Sequence, residues 1–238
     1  MTGEYLFSFL PTQVKEAVMT LETSDTTIRD NVTSELKWDP RIDADRIAVS
    51  GKDGAIVLSG HVPFYSERWD AVRAAERVYG VKAVADEIEV KLPASSVRDD
   101  SDIAEDIAHL IRSSTAVPDN VKAEVSNGHV TLRGEANWRY QHDEACRAVR
   151  HIAGVHNVSN QMTIKPHLAK AADIDQRIGA AIERMADLDA RSIWITQTNG
   201  AVHLHGHVHS LAERRTAERA AASAPGVTSV QNEIVITP

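Results

Sequence analysis

Apolar and polar residues alternate in three short stretches of the chain that resemble one another. The stretches read GAIVLSGHV, GHVTLRGEA and GAVHLHGHV, at residues 54–62, 128–136 and 200–208. Strict alternation predicts a β-strand with one face on an apolar core. Each stretch begins at the glycine of an Asp-Gly or Asn-Gly dipeptide, which favours a two-residue hairpin turn after a preceding antiparallel strand.

Helical periodicity flanks each of these predicted strands. Before each hairpin, a branched apolar residue recurs every fourth position, which predicts an amphipathic helix. The three stripes are Ile28, Val32, Leu36, then Ile103, Ile107, Ile111, then Ile174, Ile178, Ile182. After each hairpin, alanines three residues apart predict a second helix that lies close to the sheet, with the pairs Ala71/Ala74, Ala145/Ala148 and Ala217/Ala220.

The complete order is α-β-β-α-β, and it occurs three times. We therefore predict an α+β fold of three tandem units, each a three-stranded mixed sheet with two helices on one face. The expected organisation is an N-terminal segment at 1–23 and repeats at 24–93, 101–166 and 171–238. The linkers are short, so the units should pack against one another. The N-terminal segment holds an apolar cluster that predicts either a tail docked on the nearest repeat or a weak membrane or partner anchor: Tyr5, Leu6, Phe7, Phe9 and Leu10.

Glycines and polar residues recur in phase with these elements. Nine glycines are predicted to be structural: Gly54, Gly60, Gly80, Gly128, Gly134, Gly154, Gly200, Gly206 and Gly226. Three of them follow the second helix, where a positive φ would cap it: Gly80, Gly154 and Gly226. Asp86, Asn160 and Asn232 fall in the third strand with core-side parity, so each should bond to backbone or mark a bulge.

Composition and charge narrow the functional classes. The formal net charge of −8 argues against a general nucleic-acid binder, because phosphate contacts dominate that affinity. No stretch approaches the roughly 20 apolar residues of a membrane span, and the N-terminus does not read as a signal peptide, so we expect a cytoplasmic protein. The single cysteine, Cys146, sits beside the apolar stripe of a second helix and is interpreted as a small half-buried hydrophobic residue.

Four histidines alternate along the second strand of the third repeat: His203, His205, His207 and His209. Residues two apart on a strand share a face, and a His-x-His pair can ligate Zn²⁺ or Ni²⁺. The competing interpretation is a solvated sheet face without any cofactor. It is favoured because the same face of the other repeats carries Ser59, His61, Arg133 and Glu135.

Aromatic residues cluster at or near the start of the second helix in two repeats: Phe64, Tyr65, Trp69, Trp138 and Tyr140. Aromatic side chains at such positions can form an interfacial rim for lipid. They can also pack between repeats, and the sequence leaves both interpretations open. No nucleophile, base and orienting group fall into a recognisable catalytic pattern, which predicts that the protein is not an enzyme.

The repeated pattern resembles the BON domain family, which is named after an osmotically inducible periplasmic protein and nodulation proteins. In the first repeat the resemblance rests on Gly54, Ile56, Leu58, Gly60 and Val62, followed by alanines, Gly80-Val81 and the final apolar strand. The resemblance implies attachment to a phospholipid membrane surface or to protein partners, often during osmotic stress, and no enzyme activity. Periplasmic relatives make the periplasm the alternative location, and a homo-oligomer is compatible with such a role.

Overall fold

The computed structural model describes residues 24–165, 174–185, 188–227 and 229–237. Within these ranges the order helix, strand, strand, helix, strand occurs three times, so the protein has an α+β fold of three tandem units. The apolar cluster predicted to dock near the N-terminus lies outside the described residues.

Each repeat keeps this order, with small differences in where the strands are interrupted. The first repeat contains α1 (Asp25–Trp38), β1 (Ile47–Lys52), β2 (Ala55–Val62), α2 (Tyr65–Arg77) and β3 (Ala83–Val90). The second contains α3 (Asp100–Ser113), β4 (Lys122–Ser126), β5 (His129–Arg133), β6 (Glu135–Ala136), α4 (Arg139–Val149), β7 (Asn157–Asn160) and β8 (Thr163–Ile164). The third contains α5 (Ile174–Glu183), β9 (Ile193–Thr198), β10 (Ala201–Val208), α6 (Leu211–Ala222), β11 (Ser229–Asn232) and β12 (Val235–Ile236).

The predicted second strand is the centre of every sheet. It pairs antiparallel with the first strand through the hairpin and parallel with the third strand, as in β1-β2-β3 of the first repeat. The second helix is therefore the crossover between two parallel strands. Along β2 the buried residues alternate, and they share one core with both helices of the repeat.

The helix stripes follow the predicted periodicity. Ile28, Val32 and Leu36 of α1 are all buried, and the isoleucines of α3 and α5 are buried in the same spacing. At the N-terminus of α1, the Ser24 hydroxyl accepts a hydrogen bond from the Thr27 N–H and caps the helix. Three apolar cores result, one in each repeat.

The hairpin turns have the predicted two-residue form. Asp53, Asn127 and Asn199 have φ between 50° and 55°, and the glycine after each also has positive φ. Two consecutive positive φ values are the signature of a type I′ turn. In the second repeat, the Asp100 carboxylate at the start of α3 accepts from the N–H groups of Asn127 and Gly128, so the helix N-terminus holds the turn in place.

The glycines after the second helices take a different role from the predicted cap. Their φ values are 81°, 90° and 93° for Gly80, Gly154 and Gly226, so positive φ is confirmed. Helix α2, however, ends at Arg77, because the Val78 N–H bonds to the Ala75 carbonyl and Val78 then adopts an extended conformation. Each glycine lies at the third position of a β-turn that follows, where a type II turn requires positive φ.

The polar residues of the third strand bond to backbone, as predicted, and mark no bulge. The side chains of Asp86, Asn160 and Asn232 each accept from the N–H two residues on, at 3.1, 3.1 and 3.2 Å. The parallel register stays constant across this point in every repeat. The same side chains also tie the strand to the second helix. The two asparagines donate to helix carbonyls, whereas Asp86 accepts from the Arg68 guanidinium.

Replacing Asn160 with aspartate is expected to lower the free energy of unfolding by about 1–3 kcal/mol. The carboxylate cannot donate to the His142 carbonyl, which now receives a hydrogen bond of 2.9 Å from the Asn160 amide. Urea denaturation followed by circular dichroism measures the change. Asn120→Asp is the control, since it adds the same charge at an exposed side chain that has no hydrogen-bond partner among the described residues. Equal losses of unfolding free energy in the two variants would contradict a stabilising role for the hydrogen bond from Asn160 to the His142 carbonyl.

The three repeats pack against one another, as the short linkers predicted. Tyr65 of the first repeat packs against the core of the second, and Leu211 of the third packs against the cores of the first and third. Helix α2 also packs against α6. The second helices therefore meet at the junction between repeats, and this junction positions most of the residues described next.

Candidate functional site

The histidine face lies on the third sheet, opposite the core. His203 and His205 stack with ring centres 6.2 Å apart, and Trp194 of β9 stacks on His205. Both imidazole Nδ1 atoms face the Glu233 carboxylate, at 3.7 and 3.1 Å. Within the ranges that the structure describes, no group of three or more histidine, cysteine or acidic side chains converges as a metal site. The imidazoles of His203 and His205 have a carboxylate neighbour instead, so the metal hypothesis lacks support.

His209 takes part in a different contact from the other three histidines. Strand β10 ends at Val208, one residue before His209. Its Nδ1 lies 3.2 Å from the Thr237 carbonyl oxygen, and its ring stacks on Tyr79 of the first repeat at 5.3 Å. The His209 carbonyl also accepts from the Gly80 N–H at 3.0 Å. His209 is thus part of the contact between the first and third repeats.

The aromatic cluster is divided between surface and junction. Phe64 and Trp138 occupy the N-cap positions of α2 and α4 and are 41% and 38% exposed, and Tyr140 is 59% exposed. The Trp138 position is fixed locally, because the Gln141 side chain accepts from the backbone N–H groups of Asn137 and Trp138. These three aromatic side chains are partly exposed at the surface of the protein.

Tyr65 and Trp69 instead lie between repeats. Burial raises the pKa of the Tyr65 phenol, in keeping with its packing on the second core. The Trp69 ring has two guanidinium groups beside it: Arg73 at 5.3 Å from the ring centre and Arg150 of the second repeat at 3.6 Å. Of the two interpretations of the aromatic cluster, packing between repeats therefore describes these two residues.

A buried ion pair joins the first and third repeats, and no pattern in the sequence predicted it. The Glu76 side chain on α2 is only 1% exposed, and its carboxylate lies 2.8 Å from Arg215 of α6 and 3.3 Å from Arg73. Burial raises the pKa of Glu76, and the two guanidinium groups only partly offset that effect. Glu76 lies about 140° around the helix from Ala71, so the helical pattern of a single repeat predicts an exposed residue.

A cleft of about 830 Å³ opens beside this ion pair, where α2, α4 and α6 meet. All three repeats contribute to its walls. Among the described residues, seven arginines line it, against four carboxylates. The arginines are Arg41, Arg73, Arg139, Arg147, Arg150, Arg215 and Arg219, and the carboxylates are Asp70, Asp143, Glu144 and Glu218. The excess of arginine stands out in a chain whose net charge is −8.

The Cys146 thiol also lines this cleft, and it is half-buried as predicted. Burial raises the pKa of the thiol, and the opposing effect of Arg150 does not compensate. A nucleophilic cysteine needs the reverse shift. The Ser210 hydroxyl also lacks the features of a nucleophile, because it accepts a hydrogen bond from the Glu213 N–H and caps α6.

Across the described ranges, no helix is long and apolar enough to span a bilayer.

Three segments of the chain match the family profile of the BON domain, at residues 24–91, 99–166 and 170–238. Among curated proteins, the osmotically-inducible protein Y of Escherichia coli (strain K12) is 28% identical over 146 residues. That alignment covers 59% of this chain and 73% of the relative.

Among solved structures, two matches are to CdsD, a structural protein of the type III secretion system of Chlamydia trachomatis. Both share 14% sequence identity with this chain at a TM-score of 0.25. The first match covers 88% of this chain and 91% of the CdsD chain. The second, to the C-terminal domain of CdsD, covers 88% of this chain and 96% of that domain.

Proposed function

Since the chain belongs to the BON domain family, we propose that it is a non-catalytic, stress-related binding module that attaches to phospholipid surfaces. The observation that carries this proposal is the exposed aromatic set formed by Phe64, Trp138 and Tyr140 at the starts of α2 and α4. Tryptophan and tyrosine, which have one apolar and one polar end, favour the membrane–water interface, and Phe64 adds apolar area beside them. The likeness to an osmotically inducible protein supports the role in stress.

A non-catalytic role is supported by the chemistry of the candidate nucleophiles. Burial raises the pKa of Cys146, and Ser210 serves as a helix cap. Both groups therefore lack the activation that covalent catalysis needs. Cytoplasmic location and assembly into a homo-oligomer stay predictions from the sequence. Protein partners are the alternative attachment, and the lipid experiment separates the two.

Trp138→Ala is expected to reduce co-sedimentation with liposomes about fivefold, because the variant loses part of the apolar area that leaves water on attachment. Vesicles of phosphatidylcholine alone and with phosphatidylglycerol measure binding with and without anionic lipid. The overall negative charge predicts no large gain from the anionic lipid.

Trp194→Ala is the matched control, because Trp194 is an exposed tryptophan on the third sheet, away from the helix starts. Its retention should equal that of the unaltered protein. If neither vesicle retains the unaltered protein, the lipid assignment is wrong and the module attaches to protein partners. If Trp194→Ala loses as much retention as Trp138→Ala, the aromatic set at the helix starts is not the attachment surface.

A further inference from the structure

Beyond the proposed attachment to membranes, we propose that the cleft between α2, α4 and α6 binds a compact phosphate anion that carries more than one negative charge. Its volume of about 830 Å³ lies within the range of ligand sites, roughly 300–1,000 Å³. The cleft exists only because three repeats meet, so the site is a property of the tandem arrangement and not of a single BON unit.

Two arginines of the cleft form no direct ion pair among the described residues, and Asp70 and Asp143 act on them only at longer range. They are Arg150 at the end of α4 and Arg219 on α6. The Arg150 side chain stacks on Trp69, which fixes its plane, while its Nε–H is buried without a described acceptor.

Two further arginines of the cleft are only partly neutralised. Arg73 and Arg215 share the single carboxylate of Glu76. Burial lowers the pKa of Arg73, and the nearby charges of Arg219, Arg215 and Arg77 lower it further, against the attraction of Glu76. Burial also lowers the pKa of Arg150. Positive charge is thus concentrated where water screens it poorly, and an anion would relieve the repulsion.

The carboxylates that line the cleft are already engaged. Asp70 pairs with Arg41, Glu144 pairs with Arg147, and Glu218 accepts from the Asn232 amide. Burial raises the pKa of Asp143. The hydrogen bond from His142 and the charges of Arg139 and Arg219 outweigh burial and hold this pKa below the ordinary value. These carboxylates therefore pair directly with other groups, which leaves Arg150 and Arg219 with only a longer-range attraction to Asp70 and Asp143.

Arginine favours phosphate because its planar fork of N–H donors matches the phosphate oxygens in pairs. Several contacts are needed, since the net charge of −8 repels anions from the protein as a whole. A phosphate group that carries this chemistry can belong to a soluble anion or to a lipid headgroup. Inorganic pyrophosphate is the probe for the first source, and phosphatidylglycerol vesicles are the probe for the second.

The single cysteine gives a direct readout, because Cys146 lines the cleft and no other thiol competes. In the full chain, pyrophosphate should slow modification of Cys146 by a thiol reagent, whereas sodium chloride of equal ionic strength should not. Titration calorimetry then gives the affinity. Arg219→Gln should weaken the affinity for pyrophosphate about tenfold or more, because one charge-assisted contact is lost. Arg150→Gln should do the same.

Arg133→Gln is the control, because this exposed arginine pairs with Glu124 on the second sheet and lies outside the cleft. Arg219 has no ion pair among the described residues, so its variant should fold even if Arg150→Gln does not. Protection by pyrophosphate that only the two cleft variants lose supports a soluble anion. Protection by vesicles alone, lost in the same variants, supports a lipid headgroup. Equal protection by chloride, or full affinity in Arg219→Gln, would overturn the proposal.

Discussion

Gly206→Ala is expected to lower the free energy of unfolding of the third repeat by about 3 kcal/mol or more, although the substitution adds only one methyl group. Gly206 lies within β10 at a φ of 124°, a conformation that side chains rarely adopt. A Cβ at this position would overlap the Ser192 carbonyl oxygen, which belongs to the 3₁₀ turn Ala190–Ser192 before β9. In the first repeat, a Cβ on Gly60 would overlap the Arg46 carbonyl oxygen in the same way.

The matched control is Gly179→Ala in α5 of the same repeat. A Cβ on Gly179 meets no atom within 4 Å, and its φ is not in the positive range. Alanine should therefore stabilise the helix by about 0.5–1 kcal/mol, because it restricts the unfolded chain. Hydrogen exchange of the amides of β9 and β10 measures both changes within the repeat. Equal exchange in Gly206→Ala and the unaltered protein would show that the close approach is not needed.

Arg215→Ala is expected to lower the free energy of unfolding by about 2 kcal/mol at neutral pH. Breaking a fully buried pair costs roughly 3–5 kcal/mol, and the smaller value follows because Arg215 is half-exposed and Glu76 keeps Arg73. The effect should couple the first and third repeats, since the carboxylate lies on α2 and the guanidinium on α6. Arg133→Ala, which removes an exposed pair within one repeat, should change stability by less than about 1 kcal/mol.

The loss in Arg215→Ala should depend on pH in one direction. The folded pKa of Glu76 is raised above its ordinary 4.5, so the stability that it contributes is full below that value and declines as pH rises through the folded pKa. Removing Arg215 raises the folded pKa further and extends this decline. The difference in unfolding free energy should therefore grow as pH rises through the folded pKa of Glu76 in the unaltered protein, which lies above 4.5. Urea titrations across this range measure it, and a constant difference would mean that Glu76 does not titrate as inferred.

The repeated architecture was predictable from single residues and their spacing. Alternation in residues 54–62 defined the central strand, and Asp53-Gly54 defined the turn before it. Such features depend on interactions between near neighbours in sequence, which a periodic pattern records directly. The polar Asn160 was predictable for the same reason, because an amide with core-side parity must find a partner within its own repeat.

Sequence patterns were less reliable at the ends of helices and strands, where a residue can belong to either of two neighbouring elements. Gly80 was predicted as a helix cap and lies instead in the turn that follows, since Val78 had already closed the helix. His209 continues the alternation of β10 in sequence, but the strand ends one residue before it and the first repeat supplies Tyr79 as its partner. Neither outcome follows from the periodicity of the sequence alone.

The amino-acid sequence by itself determined three α-β-β-α-β units, their hairpins and the apolar faces that form three cores. Only the tertiary structure decided which polar faces meet, and hence that Glu76 is buried, that Trp69 lies beside Arg150, and that seven arginines line one cleft. The physical reason is that a polar residue on the outer face of a helix reads as solvated in any one repeat. Its burial depends on the relative placement of whole repeats, which no periodicity within a repeat records.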